Sequence, residues 1–189
     1  IDAHAHLLGL GNTLFEVDLV GTASYQEVID RVRQFAAKVP SGQWVVGRGW
    51  DQNDWAQKDF PDHHALSKAI PDHPVYLTRV DGHAALVNTM AMVRAGLTAE
   101  TSDPPGGKLL RADGELTGVL IDLATDLVAL PQPDSAQIEA RLMAAAKLAN
   151  RNGLTGIHDA GVSAKELRAY EALAQKGDLS LRLYAMLSQ

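Results

Sequence analysis

The sequence contains no cysteine, which excludes disulfides and thiolate metal sites and leaves any metal to His, Asp, Glu or a modified side chain. The compartment is left open by this, with the cytoplasm favoured. No stretch approaches the ~18 consecutive apolar residues of a membrane span, and no signal-peptide pattern precedes the first strand. Lys and Arg form no run and the formal net charge is −6, so neither a nucleic-acid surface nor a polybasic membrane patch is expected. Neither G-x-G-x-x-G nor a Walker pattern occurs, and nucleotide binding lacks local support. The initiator methionine is also missing. Residue 1 is Ile and a metal-type strand opens the chain, from which we expect the sequence to be part of a longer one.

What is present is a chain of 189 residues, 46% of them hydrophobic, enough for a real core and too apolar for disorder. Its most informative stretch is Ile1-Asp2-Ala3-His4-Ala5-His6-Leu7. Alternate side chains of a β-strand share a face, so His4 and His6 point one way and Ile1, Ala3 and Ala5 the other. Neutral imidazole is the commonest protein ligand for zinc and similar ions, and a pair at i, i+2 can fill two adjacent coordination positions. The motif alone is common, and two idle histidines at a strand end fit it equally well.

Along the chain, Leu7 to Gly11 reads as a glycine-rich loop and Thr13 to Leu19 as a short extended piece. Ser24-Tyr25-Gln26-Glu27 reads as a capping box before an amphipathic helix carrying Val28, Val32, Phe35, Ala36 and Val39, which Pro40-Ser41-Gly42 stops. Gln43 to Arg48 is a strand, followed by the loop Gly49-Trp50-Asp51-Gln52-Asn53-Asp54-Trp55. Tryptophan is costly to expose, so Trp50 and Asp51 are candidates to line a substrate pocket, or else the loop is anchored in its own domain. A short helix is expected over Pro61 to Ile70, with His63, His64 and the nearby His73 solvated, and then a strand from Val75 to Val80. If extension continues, Arg79, Asp81 and His83 share a face, a salt bridge beside a histidine.

Asn88 caps the next helix and Gly96 ends it. Asp103 to Gly107 is a turn, Leu109 to Leu120 a hairpin around Asp113-Gly114, and Ile121 to Ala129 is expected to be helical. From Asp134 the rhythm changes. A long helix with Ile138, Leu142, Ala145, Leu148 and Ala149 on one face ends at Gly153, and Leu154 to Asp159 follows as a strand. A capping box at Ser163 to Glu166 opens another helix, closed by Gly177 before a strand from Leu181 to Leu187. Helix, strand, helix, strand is the order of parallel βα units.

Taken together, Ile1 to His6, Gly49-Trp50-Asp51 with Trp55, Pro74 to Leu77 through Arg79, Asp81, Gly82, His83 and Asn88, Gly106-Gly107, Asp113-Gly114, Thr117 to Leu120 and Gly153 to Gly161 resemble the amidohydrolase superfamily. Within it the match is to the amidohydrolase-3 (YtcJ-like) group of metal-dependent hydrolases. The resemblance implies an α/β protein, a partial (β/α)8 TIM barrel whose first strand is residues 1–8. Residues 9–130 would be an inserted α+β cap or substrate domain, and 131–189 the helices with barrel strands two and three. It implies a divalent metal, most readily zinc, on His4 and His6, with a small-molecule substrate cleaved at an amide or other non-peptide C–N bond by a metal-activated water.

In the same reading Arg79, Asp81 and His83 orient the substrate or stabilise an oxyanion, and Trp50 and Asp51 face the substrate. Similar proteins complete the metal site on later strands, with a carboxylated Lys or a Glu on the fourth, histidines on the fifth and sixth and an Asp base on the eighth. A closed barrel needs ~250 residues, so these groups are not expected within this chain. His158 and Asp159 alternate across the second strand, and either is expected to support the site rather than bind metal. One alternative is a truncated, noncatalytic module that binds a ligand or a second chain, a further copy of itself included, through the edges of an unclosed sheet. A phosphoesterase is a weaker alternative, since no basic cluster is there to hold phosphate.

Overall fold

The structure, a computed structural model, describes residues 1–188. In chain order the elements are β1 (Asp2–Ala5), α1 (Leu7–Thr13), β2 (Val17–Asp18), α2 (Tyr25–Ala36), β3 (Val45–Trp50), α3 (His63–Ala69), β4 (Val75–Arg79) and β5 (Ala84–Val87). They continue with α4 (Thr89–Ala95), β6 (Gly107–Ala112), β7 (Glu115–Asp122), α5 (Ser135–Arg151), β8 (Gly156–Val162), α6 (Ala164–Lys176) and β9 (Arg182–Leu187). The chain forms two compact units, one from residues 1–15 and 131 onward, the other from Glu16–Leu130.

The first unit holds a three-stranded parallel sheet in the order β1-β8-β9. Its core faces one side only. Ile157 on β8 packs with Leu142, Ala145 and Ala149 of α5 and Tyr170 and Leu173 of α6, while His158 and Tyr184 stay exposed. Both helices start where their caps predict. Asp134 accepts from the Gln137 backbone N–H and Ser163 from that of Glu166, each returned by the Gln or Glu side chain as a full capping box. Gly177, at φ 76°, supplies the left-handed end of α6.

The expected loop at Leu7 to Gly11 is instead the helix α1. Leu7 is fully buried in this unit's core, and a side chain on Gly11 would stand 2.5 Å from the Arg141 carbonyl oxygen of α5. Glycine is here because two helices cross at that point, and tertiary packing outweighs its low helix propensity.

The second unit is a six-stranded mixed sheet in the order β2-β3-β4-β5-β7-β6, parallel over β2, β3 and β4 and antiparallel onward. Its residues alternate strictly between two cores. Val75, Leu77, Ala84, Leu86 and Val119 join α2 and α3 with Trp50 and Trp55, whereas Tyr76, Ala85, Val87 and Leu120 join α4 on the opposite face. Strand β5 had no assignment in the sequence, because Ala84 to Val87 are buried on both faces and show no polar alternation. The expected helix at Ile121 to Ala129 is also corrected. Strand β7 runs on to Asp122 through its pairing with β5 and β6, and only a 3-10 turn at Leu123–Leu127 follows.

Candidate functional site

In the first unit the two histidines of the opening strand lie with ring centres 5.2 Å apart and planes nearly perpendicular. An ion bound at ~2.0–2.1 Å from each nitrogen sits about 3 Å from each ring centre, and two rings at a tetrahedral angle then lie about 5 Å apart. The spacing fits two ligands of one cation. His6 Nδ1 lies 2.9 Å from the Ala160 carbonyl oxygen; a carbonyl only accepts, so Nδ1 carries the hydrogen and the lone pair of the neutral ring falls on Nε2. Both side chains are exposed. Among the described residues no group of three or more His, Cys, Asp or Glu is arranged to hold a metal ion, so within the described residues the two histidines stand without a third such side chain.

Immediately behind it lies Asp159, which is 2% exposed. It faces the helices, and its neighbour His158 faces the open side, ring against Tyr184 at 5.2 Å. Asp159 Oδ1 accepts the backbone N–H of Leu7 at 2.7 Å and Oδ2 accepts the Tyr170 hydroxyl at 2.6 Å. Burial, reinforced by the adjacent carboxylate, pushes the Tyr170 hydroxyl well above the usual phenol range and keeps it a donor.

The second unit carries the other predicted residues. Arg79 ends β4 and clasps Asp81 with two nitrogens, Nε at 2.9 Å and Nη2 at 2.6 Å. These residues meet through a turn, not along one strand face. The chain reverses at Gly82, whose φ is 79° and whose N–H donates to the Arg79 carbonyl, so that β5 can return beside β4. The Arg79 hydrogen bonds, followed by the backbone N–H of His83, hold the Asp81 carboxyl down to about 2. The same contact raises Arg79 further, and its guanidinium also lies over the Phe60 ring, 5.4 Å from the centroid.

His83 Nδ1 meets Asp122 Oδ1 at 2.9 Å on side chains 71% and 51% exposed. Asp122 sits at φ 49°, ψ −126°, a conformation costly for a residue with a side chain. Sequence reasoning missed it, since it closes an apolar strand 39 positions away and only the β5–β7 pairing brings it to His83. Asp51 is half-buried and accepts the Asn53 backbone N–H, capping the short 3-10 turn after β3.

Trp50 requires a correction as a substrate-facing residue. It is fully buried, its indole N–H donates to the Leu77 carbonyl at 2.8 Å, and it packs in the core of the second unit. His63 and His73 are likewise not simply solvated. His63 Nδ1 lies 3.0 Å from Ser67 Oγ, and burial lowers its proton affinity; His73 is buried with Nδ1 on the Gln43 carbonyl.

A family model described as the amidohydrolase family matches residues 1–188. The candidate amidohydrolase YtcJ of Bacillus subtilis (strain 168) is 33% identical over 98% of this chain and 37% of its own length. The N-substituted formamide deformylase of Arthrobacter pascens is 28% identical over 97% of this chain and 35% of its own. Among solved structures, an uncharacterized metal-dependent hydrolase from Pyrococcus horikoshii OT3 superposes with a TM-score of 0.71 at 25% identity, covering 98% of this chain and 35% of that one. The chain thus spans little more than a third of the length of these relatives. With the match running from the histidine strand to the end of β9, this chain belongs to the amidohydrolase family.

Proposed function

We propose that this chain is the metal-holding opening of a hydrolase that cleaves amide or other non-peptide C–N bonds of a small molecule, with His4 and His6 as two ligands of a divalent ion, zinc first. The observation that carries this is the imidazole pair at the carboxyl end of β1, 5.2 Å between centres, with the His6 tautomer set to offer Nε2. In this reading the first unit is the first three strands of a (β/α)8 barrel, and the second unit, Glu16–Leu130, is an insertion that starts after α1 and not directly after the first strand. The parallel order β1-β8-β9, with helices on one face only, supports that assignment. Barrel enzymes keep their chemistry at the carboxyl ends of the strands, which is where His4 and His6 stand on β1.

A divalent ion held there would polarise a carbonyl and activate water as the nucleophile. The chain's own residues supply position and charge. Within the second unit His83 gives its Nδ1–H to Asp122, so its neutral ring offers Nε2 as a hydrogen-bond acceptor. Arg79 is a fixed cation already half-neutralised by Asp81, and Asp51 adds negative charge beside it. A small amide suits such a set better than an anion. The deformylase relative is named for removing formyl groups from N-substituted formamides, which supports amide cleavage as the class.

Metal analysis of the purified protein tests the proposal, together with amine release from a panel of N-substituted formamides and simple amides. We expect stoichiometric zinc that His4→Ala combined with His6→Ala abolishes. Unchanged metal content in the double variant would overturn the assignment and favour a noncatalytic module.

A further inference from the structure

We infer that Asp159 is a positioning residue for the histidine pair, acting through the backbone where β1 passes into α1 and not through an imidazole. Two consecutive residues of β8 hold the two consecutive residues that follow β1. The Ala160 carbonyl takes the His6 Nδ1–H at 2.9 Å, and Asp159 Oδ1 takes the N–H of Leu7 at 2.7 Å. Leu7 is the first residue of α1, and His6, in the capping position, makes no side-chain hydrogen bond to that helix. Asp159 thus satisfies the N–H of the first helical residue, one of the donors that a helix start leaves without a partner of its own. The second oxygen is occupied by the Tyr170 hydroxyl at 2.6 Å, so the carboxylate cannot rotate away from Leu7 without giving up a buried bond.

Around it the environment is apolar. Ile157 and Val162 of the same strand, with Leu173 of α6, belong to the same core. A hydrophobic side chain would pack there without the desolvation that a carboxylate incurs. What the carboxylate contributes is direction. It fixes where β1 ends and α1 begins, and with that the distance from the His6 ring to the Ala160 carbonyl that selects the Nε2 lone pair. Partners that orient metal-binding histidines usually touch the ring itself; here the carboxylate touches the next peptide group.

This inference rests on His4 and His6 being metal ligands, and its test has an arm that does not. Nitrogen-15 NMR of the metal-free protein reads the His6 tautomer, and titration with cobalt(II) reads affinity. In the parent protein His6 is expected as a single Nδ1-protonated form. Asp159→Ala is expected to mix the two tautomers and weaken cobalt binding about 10–100-fold, whereas Asp159→Asn, which keeps an acceptor for Leu7, stays within about threefold of the parent. Leu142→Ala removes a side chain from the same core and should leave the tautomer unchanged.

A single tautomer in Asp159→Ala, or an equal disturbance in Leu142→Ala, would overturn the inference. If Asp159→Ala does not fold, Tyr170→Phe decides, with a mixed His6 signal expected and a parent-like one refuting. Should the parent take up no cobalt, the hydrolase reading fails and the tautomer arm alone judges Asp159.

Discussion

Asp81 is the residue whose charge state the structure defines best. Held at about 2 when folded, against ~3.9 for a free aspartate, it contributes stability that is complete above pH ~4. That contribution is lost as the pH falls from there through about 2, because protonation of the folded form releases the guanidinium. Its side chain is 41% exposed, so solvent screening keeps the contribution below ~1 kcal/mol. Asp81→Asn is therefore expected to lower the urea midpoint slightly near neutral pH and to approach the parent only as the pH falls below ~2, read by paired denaturation curves. The pairing of Arg79 with Asp81 was legible in the sequence, but its geometry was not. A two-residue spacing suggested one strand face, and the left-handed Gly82 turns it into a clasp across a reversal. Asp122 had no local signal, since its partner is set by strand register alone.

Among the elements, α1 shows where pattern reading stops. Ser24, Asn88, Asp134 and Ser163 announced their helices because each cap is a local bond between a side chain and a backbone N–H two or three residues on. The seven residues Leu7–Thr13 hold two glycines, and their helix exists because α5 receives it. Gly11→Ala measures this directly. Alanine gains ~1 kcal/mol in helix propensity, but its Cβ would meet a backbone carbonyl at 2.5 Å that cannot rotate aside. Overpacking of about 1–3 kcal/mol should win. A fall in thermal midpoint is expected; a rise would mean the helices part without penalty. In the same way β5 is invisible to alternation, since both of its faces are buried, and emerges only when β4 and β7 flank it.

At the scale of the molecule, Trp44, Trp50 and Trp55 all lie in the unit formed by Glu16–Leu130. Tryptophan fluorescence, excited selectively at wavelengths where tyrosine does not absorb, is a report on that unit alone. Leu77→Ala empties space in the core shared by Trp50 and Trp55 and is expected to lower the fluorescence-detected unfolding free energy by about 2–5 kcal/mol. A fluorescence curve that does not move would place the tryptophans outside that core.

Among the described residues β1 pairs with β8 alone, and the bond from His6 to Ala160 spans 154 positions. During synthesis β1 leaves the ribosome well before β8 and stays unpaired with it while more than a hundred intervening residues are made. Closing so long a loop costs only ~0.6 kcal/mol more for each doubling of its length, yet long-range parallel pairing is slow. The imidazoles therefore acquire their fixed orientation late, after the stretch between them and β8 has had time to collapse on its own core. A nascent chain of this protein would carry His4 and His6 untethered until β8 is there to hold them.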